Sequence, residues 1–233
     1  MKLVIFGASG PTGRLATEQA LAEGHSVTAV TRRPDAFPAG AHRPEVVGAD
    51  VMDAAAVDRA VAGHDAVIST LGVPYTKENV TVYSQGAAHI ARAMADHGVR
   101  RLVCVSSIGV TPEHAPGETL MFRKVIAPIL LKLGRTIYAD MGRMEELLRG
   151  TDLEWTVLRP AGLFDGDEVT DYVVGEPRIP GRFTSRRDLA DALLRAAVDG
   201  RHVRSAVEVV TTRGVPSYFG VFVKEALHIG NKR

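Results

Sequence analysis

A chain of 233 residues with 45% hydrophobic content is long enough to bury one substantial core, which excludes a disordered or purely linker-like protein. Its 28 Lys and Arg against 27 Asp and Glu leave a formal net charge of +1, so there is no general attraction to nucleic acid or to an anionic membrane, and any basic chemistry has to be local. One cysteine excludes a disulfide framework, and Cys104, inside an apolar run, reads as a small buried hydrophobe.

From the start, short apolar runs alternate with longer segments of helical periodicity, the pattern of a doubly wound α/β fold whose mostly parallel sheet carries helices on both faces. Strands are predicted at residues 3–6, 26–31, 45–47, 66–70, 101–106 and 154–158, and helices at 12–23, 54–62, 80–97 and 118–149. Gly24, Gly63 and Gly98 stand where helix C-caps belong. Pro128 is expected to break the fourth helical stretch, leaving an irregular first piece and a second at 138–149. Past Pro160 the sequence turns irregular, with a strand expected at 168–174. A helix follows at 186–198, with Ser185 as N-cap and Asp188 in its first turn. A strand at 206–210 and a helix at 217–228 complete the reading as a single domain over 1–233, with substrate-side elements mainly at 160–185 and 211–233. The first apolar run, 3–6, is too short for a signal-peptide core, and nothing approaches the ~18 uninterrupted apolar residues of a membrane helix. The expectation is a soluble, cytoplasmic protein without a membrane or nucleic-acid partner.

Gly7-Ala8-Ser9-Gly10-Pro11-Thr12-Gly13 follows the first strand directly and opens the first helix. Glycines there permit a tight turn, close approach of backbone to a pyrophosphate and close helix–strand packing, while the helix N-terminus offers free N–H groups to the anion. In that strand–loop–helix context the motif is a Rossmann dinucleotide fingerprint. At the end of the second strand, where an acidic residue would hold a ribose 2′-hydroxyl, the chain has Arg32 and Arg33. A guanidinium can donate two parallel charge-assisted bonds to a phosphate, so NADP(H) is the expected cofactor. Asp50-Val51 and Leu71-Gly72 end the third and fourth strands and are assigned to adenine and ribose contacts; Asp53 reads as a helix N-cap.

With this loop, the Thr31–Pro34 step, the segments 48–53, 65–72 and 100–109, and finally 155–166 in order, the chain resembles the atypical short-chain dehydrogenase/reductases. Within them it is most similar to the NAD(P)H-binding group that includes biliverdin reductase B/flavin reductases and NmrA-like proteins. Carbonyl-reducing members of that family carry a Tyr-x-x-x-Lys pair for proton transfer, and none occurs here: Tyr138 is followed four residues on by Gly142. Biliverdin-reductase-like members also lack the pair, and the resemblance implies that Ser106 and Ser107, ending the fifth strand, line the nicotinamide pocket. The segment where those members can place a histidine reads Pro160-Ala161-Gly162, which is grouped with the cofactor site.

Without that proton-transfer couple, an acceptor able to take hydride at a ring position suits the site better than a simple ketone. The expected function is an NADPH-dependent oxidoreductase acting on a small, planar, redox-active substrate such as a flavin or quinone. Ser107, Ser106 and Tyr75 are the candidate catalytic residues. A non-enzymatic NADP(H) sensor of the NmrA-like kind, and a pathway-specific tailoring reductase or epimerase, are the alternatives. Scattered histidines give no metal-ligand spacing, so no metal is expected. Arg123, Lys124 and Lys132 read as a solvated helix face, Trp155 and Leu158 as core, and the aromatic tail 218–222 as packing on its own domain, with covering the substrate pocket or joining a partner subunit as alternatives, in a monomer or homodimer.

Overall fold

The computed structural model describes residues 1–38, 43–111 and 120–216. In chain order they form β1 (Lys2–Phe6), α1 (Pro11–Ala22), β2 (Ser26–Thr31), β3 (Glu45–Gly48), α2 (Ala54–Val61), β4 (Ala66–Ser69), α3 (Val82–Asp96) and β5 (Arg101–Val105). A π-helical turn (Phe122–Ile126) then leads into α4 (Ala127–Leu133) and α5 (Arg135–Arg149). The remainder is β6 (Glu154–Pro160), β7 (Gly162–Phe164), β8 (Tyr172–Gly175), β9 (Phe183–Ser185), α6 (Arg186–Asp199) and β10 (Ser205–Thr211). Eight strands make one sheet in the order β3-β2-β1-β4-β5-β6-β10-β8, parallel except where β8 runs antiparallel to β10. β7 and β9 pair separately.

Period-two alternation divides the core between the two faces of this sheet. Val4 and Phe6 of β1 join Val67, Leu102 and Val157 beneath α2, α3 and α5, whereas Leu3 and Ile5 join Ile68, Val103 and Leu158 beneath α1 and α6. Each fully buried Leu or Ile contributes about 1.5–3 kcal/mol. Alanines on α1 and α6, among them Ala16, Ala20, Ala190 and Ala197, let the two helices lie close together over the sheet. The predicted C-caps at Gly24, Gly63 and Gly98 hold, each in the left-handed region with φ of 81°, 76° and 71°. Trp155, Leu158 and Cys104 are buried as expected.

The chain departs from its sequence pattern in the second half. Pro128 does not break the helix: the helical run before it widens into the π-turn at Phe122–Ile126, which continues directly into α4 and makes room for the proline ring. The break falls at Gly134, where a β-carbon would collide with the Tyr138 ring. The strand expected at 168–174 is confined to β8, because Thr170 is drawn off to the buried Asp188, which accepts from its N–H at 2.7 Å and its hydroxyl at 3.0 Å. Neither three-residue strand of the small sheet carries an apolar run long enough to read. The helix expected at 217–228 and the aromatic tail lie outside the described residues.

One buried carboxylate joins two helices. The α3 N-cap residue, Thr81, makes no side-chain capping bond, and Asp140 of α5, fully buried, takes that role from outside. It accepts from the N–H of Tyr83 at 2.8 Å and of Ser84 at 3.3 Å, from the Ser84 hydroxyl, and from Arg143 at 3.0 Å. Asp140→Ala is expected to lower the unfolding free energy by about 2–4 kcal/mol, since it strands two helix N–H groups away from water. Arg143→Gln, at a half-exposed partner, should cost under about 1 kcal/mol. Urea denaturation midpoints of the two variants check the ordering.

Candidate cofactor and active-site cleft

The loop from β1 to α1 is shaped by contact with β4. Gly7 has φ of 76°, and a β-carbon there would lie 2.7 Å from the Thr70 carbonyl oxygen, so a side chain is excluded both by conformation and by space. Thr70 in turn donates its N–H and its hydroxyl to the Phe6 carbonyl, both at 2.9 Å. Gly10 donates to the Gly7 carbonyl at 2.9 Å, and α1 begins at Pro11 with no side-chain cap and no acidic residue in its first turn. The positive end of α1 is therefore open to an anion, and the crowded glycine cradle fits a pyrophosphate. Gly13 is not in the cleft wall: it is the packing glycine, where a β-carbon would meet the Gly7 carbonyl and Thr70.

A cleft of about 1310 Å³ runs along the carboxyl edge of the sheet, across the β1–β4 boundary where strand order reverses. Gly7, Ser9, Gly10, Pro11 and Thr12 form its middle. At one end stand Arg32 and Arg33, both exposed, and neither has an ion-pair partner among the described residues. The Arg33 N–H donates to the Thr31 hydroxyl at 3.2 Å, which sets the direction of the turn. Asp50 and Val51 lie beside them. Asp50 Oδ1 accepts from the Met52 N–H at 3.0 Å, and Val51 and Leu71 close over Gly86 of α3, where a β-carbon would touch both. Asp53 caps α2 as expected, accepting from the N–H groups of Ala55 and Ala56.

Leu71 and Gly72 lead to the other end, where Ser106, Ser107, Tyr75, Pro160, Ala161 and Gly162 meet. The two serines differ sharply. Ser106 is buried and donates its proton to Glu145 Oε1 at 2.7 Å; Glu145, itself buried, is paired with the buried Arg159 through Nε at 3.0 Å and through Nη2. The Ser106 proton thus points away from the cleft. Ser107 accepts from the Gly109 N–H at 3.1 Å, and its own proton has no acceptor among the described residues, which leaves it able to donate into the cleft. Tyr75 is 58% exposed, with its hydroxyl 3.5 Å from that of Tyr138. The Ala161 N–H binds Thr184 at 2.9 Å and the Gly162 N–H binds the Arg182 carbonyl at 2.9 Å, fixing this wall to the small sheet.

Sequence reasoning missed part of the wall. Tyr138 lines the cleft with its ring against Gly109 and Gly134, where β-carbons would collide with it. The far side is formed by Arg178, Arg182, Phe183 and Glu208. Arg178 is held at φ of 81° while its N–H and that of Ile179 both bind Glu208 Oε2 at 3.0 Å, and the Arg182 guanidinium lies 4.0 Å from the centroid of the Phe122 ring. That left-handed backbone at a non-glycine residue is held by the Glu208 carboxylate, a partner about thirty residues away in the chain. Among the described residues, no group of three His, Cys, Asp or Glu side chains is placed to hold a metal, and no helix is long and apolar enough to cross a membrane.

The glycine cradle, the uncapped helix and the position of the cleft at the strand-order reversal define a dinucleotide-binding Rossmann protein. The chain belongs to the NAD(P)H-binding family, whose model matches residues 7–199. It is similar to an uncharacterised protein of Mycobacterium tuberculosis, 29% identical over 221 residues that cover 88% of this chain, while spanning only 22% of that protein's length. Among solved structures it is similar to a short-chain dehydrogenase/reductase from Veillonella parvula in complex with NADP, with a TM-score of 0.76 at 19% identity over 93% of this chain and 99% of that one. It is likewise similar to the anaerobilin reductase ChuY from Escherichia coli O157:H7, with a TM-score of 0.74 at 23% identity over 93% of this chain and all 100% of that one. At these identities the two structures speak to the fold alone.

Cys104 lies outside the cleft wall, and burial pushes its thiol up to about 12. At pH 7–9 it stays protonated, and because the thiolate is the nucleophile, native protein should resist iodoacetamide at pH 8 and react only when unfolded. Labelling rates with and without denaturant, read by mass spectrometry, check this.

Proposed function

We propose that this chain is an NADPH-dependent reductase that passes hydride to a planar, redox-active acceptor such as a flavin, a quinone or a tetrapyrrole. The observation that carries the reading is one continuous cleft joining two arginines, without ion-pair partners among the described residues, at one end to a ring-lined apolar chamber at the other. Arg32 and Arg33 offer forked donors to a 2′-phosphate. The open end of α1 holds the pyrophosphate. Bound NADPH supplies the hydride.

Ser107 donates a hydrogen bond to the polar edge of the acceptor, and Ser106, its proton engaged by Glu145, presents lone pairs to the nicotinamide side. Tyr75 and Tyr138 flank the acceptor with aromatic surface. No Tyr-x-x-x-Lys couple is available to protonate an alkoxide, which favours an acceptor that gathers its proton from water. A second reading, a non-enzymatic NADP(H) sensor, is favoured by the same missing couple and by the commitment of the Ser106 proton to Glu145.

NADPH oxidation measured with FMN, riboflavin, several quinones and a tetrapyrrole, against NADH as control, separates the two. Turnover with a planar acceptor and preference for NADPH is expected; tight NADPH binding with no acceptor active would leave the sensor. Arg32→Ala should weaken NADPH binding by roughly 1.5–3 kcal/mol, the range for a charged hydrogen bond, and leave NADH nearly unchanged. Equal loss for both cofactors, measured by titration calorimetry, would refute the assignment. Ser107→Ala should lower kcat more than it weakens NADPH affinity, and an unchanged rate would make that serine structural.

A further inference from the structure

The helical run at the mouth of the acceptor chamber is apolar and yet unburied. No residue of the π-turn or of α4 is buried. Leu120, Met121, Val125, Ile129 and Leu133 are between 52% and 68% exposed. Residues 121, 125, 129 and 133 recur every fourth position and so form one stripe along the run. Phe122, Ile126 and Leu130, between them, line the cleft, and Ile129 and Leu133 belong to both the stripe and the cleft wall. The stripe is therefore the lip of the chamber.

Charge within the run itself is of one sign. Residues 120–135 contain Arg123, Lys124, Lys132 and Arg135 and no Asp or Glu. All four are exposed, and none has an ion-pair partner among the described residues. In a chain whose formal net charge is only +1, this is a local concentration of cations, without ion-pair partners among the described residues, around an exposed apolar stripe. An apolar edge flanked by Lys and Arg suits the headgroup–acyl boundary of an anionic bilayer, where the stripe leaves water and the cations meet phosphates. A second copy laid on the same face would oppose cations to cations.

We infer that this lip docks on anionic phospholipid surfaces, so that the chamber opens towards the bilayer and takes a lipid-soluble acceptor, a quinone with a hydrocarbon tail. The choice of acceptor rests on the reductase reading; the docking does not. In the reaction, hydride from NADPH and a proton from water convert the quinone to its hydroquinone and leave NADP⁺.

The full chain would be sedimented with vesicles of phosphatidylglycerol and phosphatidylcholine, and with phosphatidylcholine alone. Binding to the anionic vesicles, weakened by salt and poor on the neutral ones, is expected. Val125→Glu, Met121→Glu and Lys124→Glu, all outside the cleft wall, should each lower that binding about tenfold or more while NADPH affinity, the check on folding, stays unchanged. Equal binding to both vesicles, or none, overturns the proposal, as does a dimer in sedimentation equilibrium that Val125→Glu splits. If docking holds, NADPH oxidation by a long-tailed quinone in anionic vesicles should fall with the same variants. Docking without turnover of any acceptor would retain the lipid surface and remove the reductase reading.

Discussion

The left-handed turn at Gly7, pressed against the Thr70 carbonyl, is the constraint on which the cleft depends. Because β1 and β4 are neighbours and the chain leaves their ends in opposite directions along the sheet, a gap opens at their carboxyl edge. The close contact at Gly7 turns the start of α1 into that gap, and Gly13 lets the helix settle against the loop behind it. A side chain at either glycine would lift α1 off the sheet and move its free N–H groups away from the cleft.

Around this point the buried polar groups build walls. Asp140 ties α3 to α5, Glu145 and Arg159 anchor Ser106, and Asp188 draws Thr170 and Thr211 together beneath the small sheet. Buried charges are costly unless paired and hydrogen-bonded, and each of these is both partnered and in contact with a second element. They contrast with α4, none of whose residues is fully buried. The cleft thus has one side walled by buried, hydrogen-bonded polar groups and another formed by an exposed apolar lip.

Much of the fold was legible because it rests on short-range rules. Alternation along β1 and β4, glycine caps at Gly24, Gly63 and Gly98, and the glycine loop between a strand and a helix each follow from local geometry. The second half was harder to read. Pro128 looked like a break and was absorbed into a helical run by a π-turn, while the interruption fell at Gly134, where the Tyr138 ring takes the space a β-carbon would need. The small sheet went unseen since strands of three residues carry too little apolar signal to stand out from turns.

The sequence alone determined the mostly parallel sheet, the phosphate cradle, the arginine pair and the absence of a Tyr-x-x-x-Lys couple, since each depends on residue type and spacing within a few neighbours. Only the tertiary structure decided that Ser106 spends its proton on Glu145 while Ser107 keeps its own, that Tyr138 and Glu208 face the cleft, and that the 121–133 stripe lies open at its mouth. The reason is physical: which way a proton points, and which face of a helix stays wet, are set by partners tens of residues away in the chain and a few ångströms away in space.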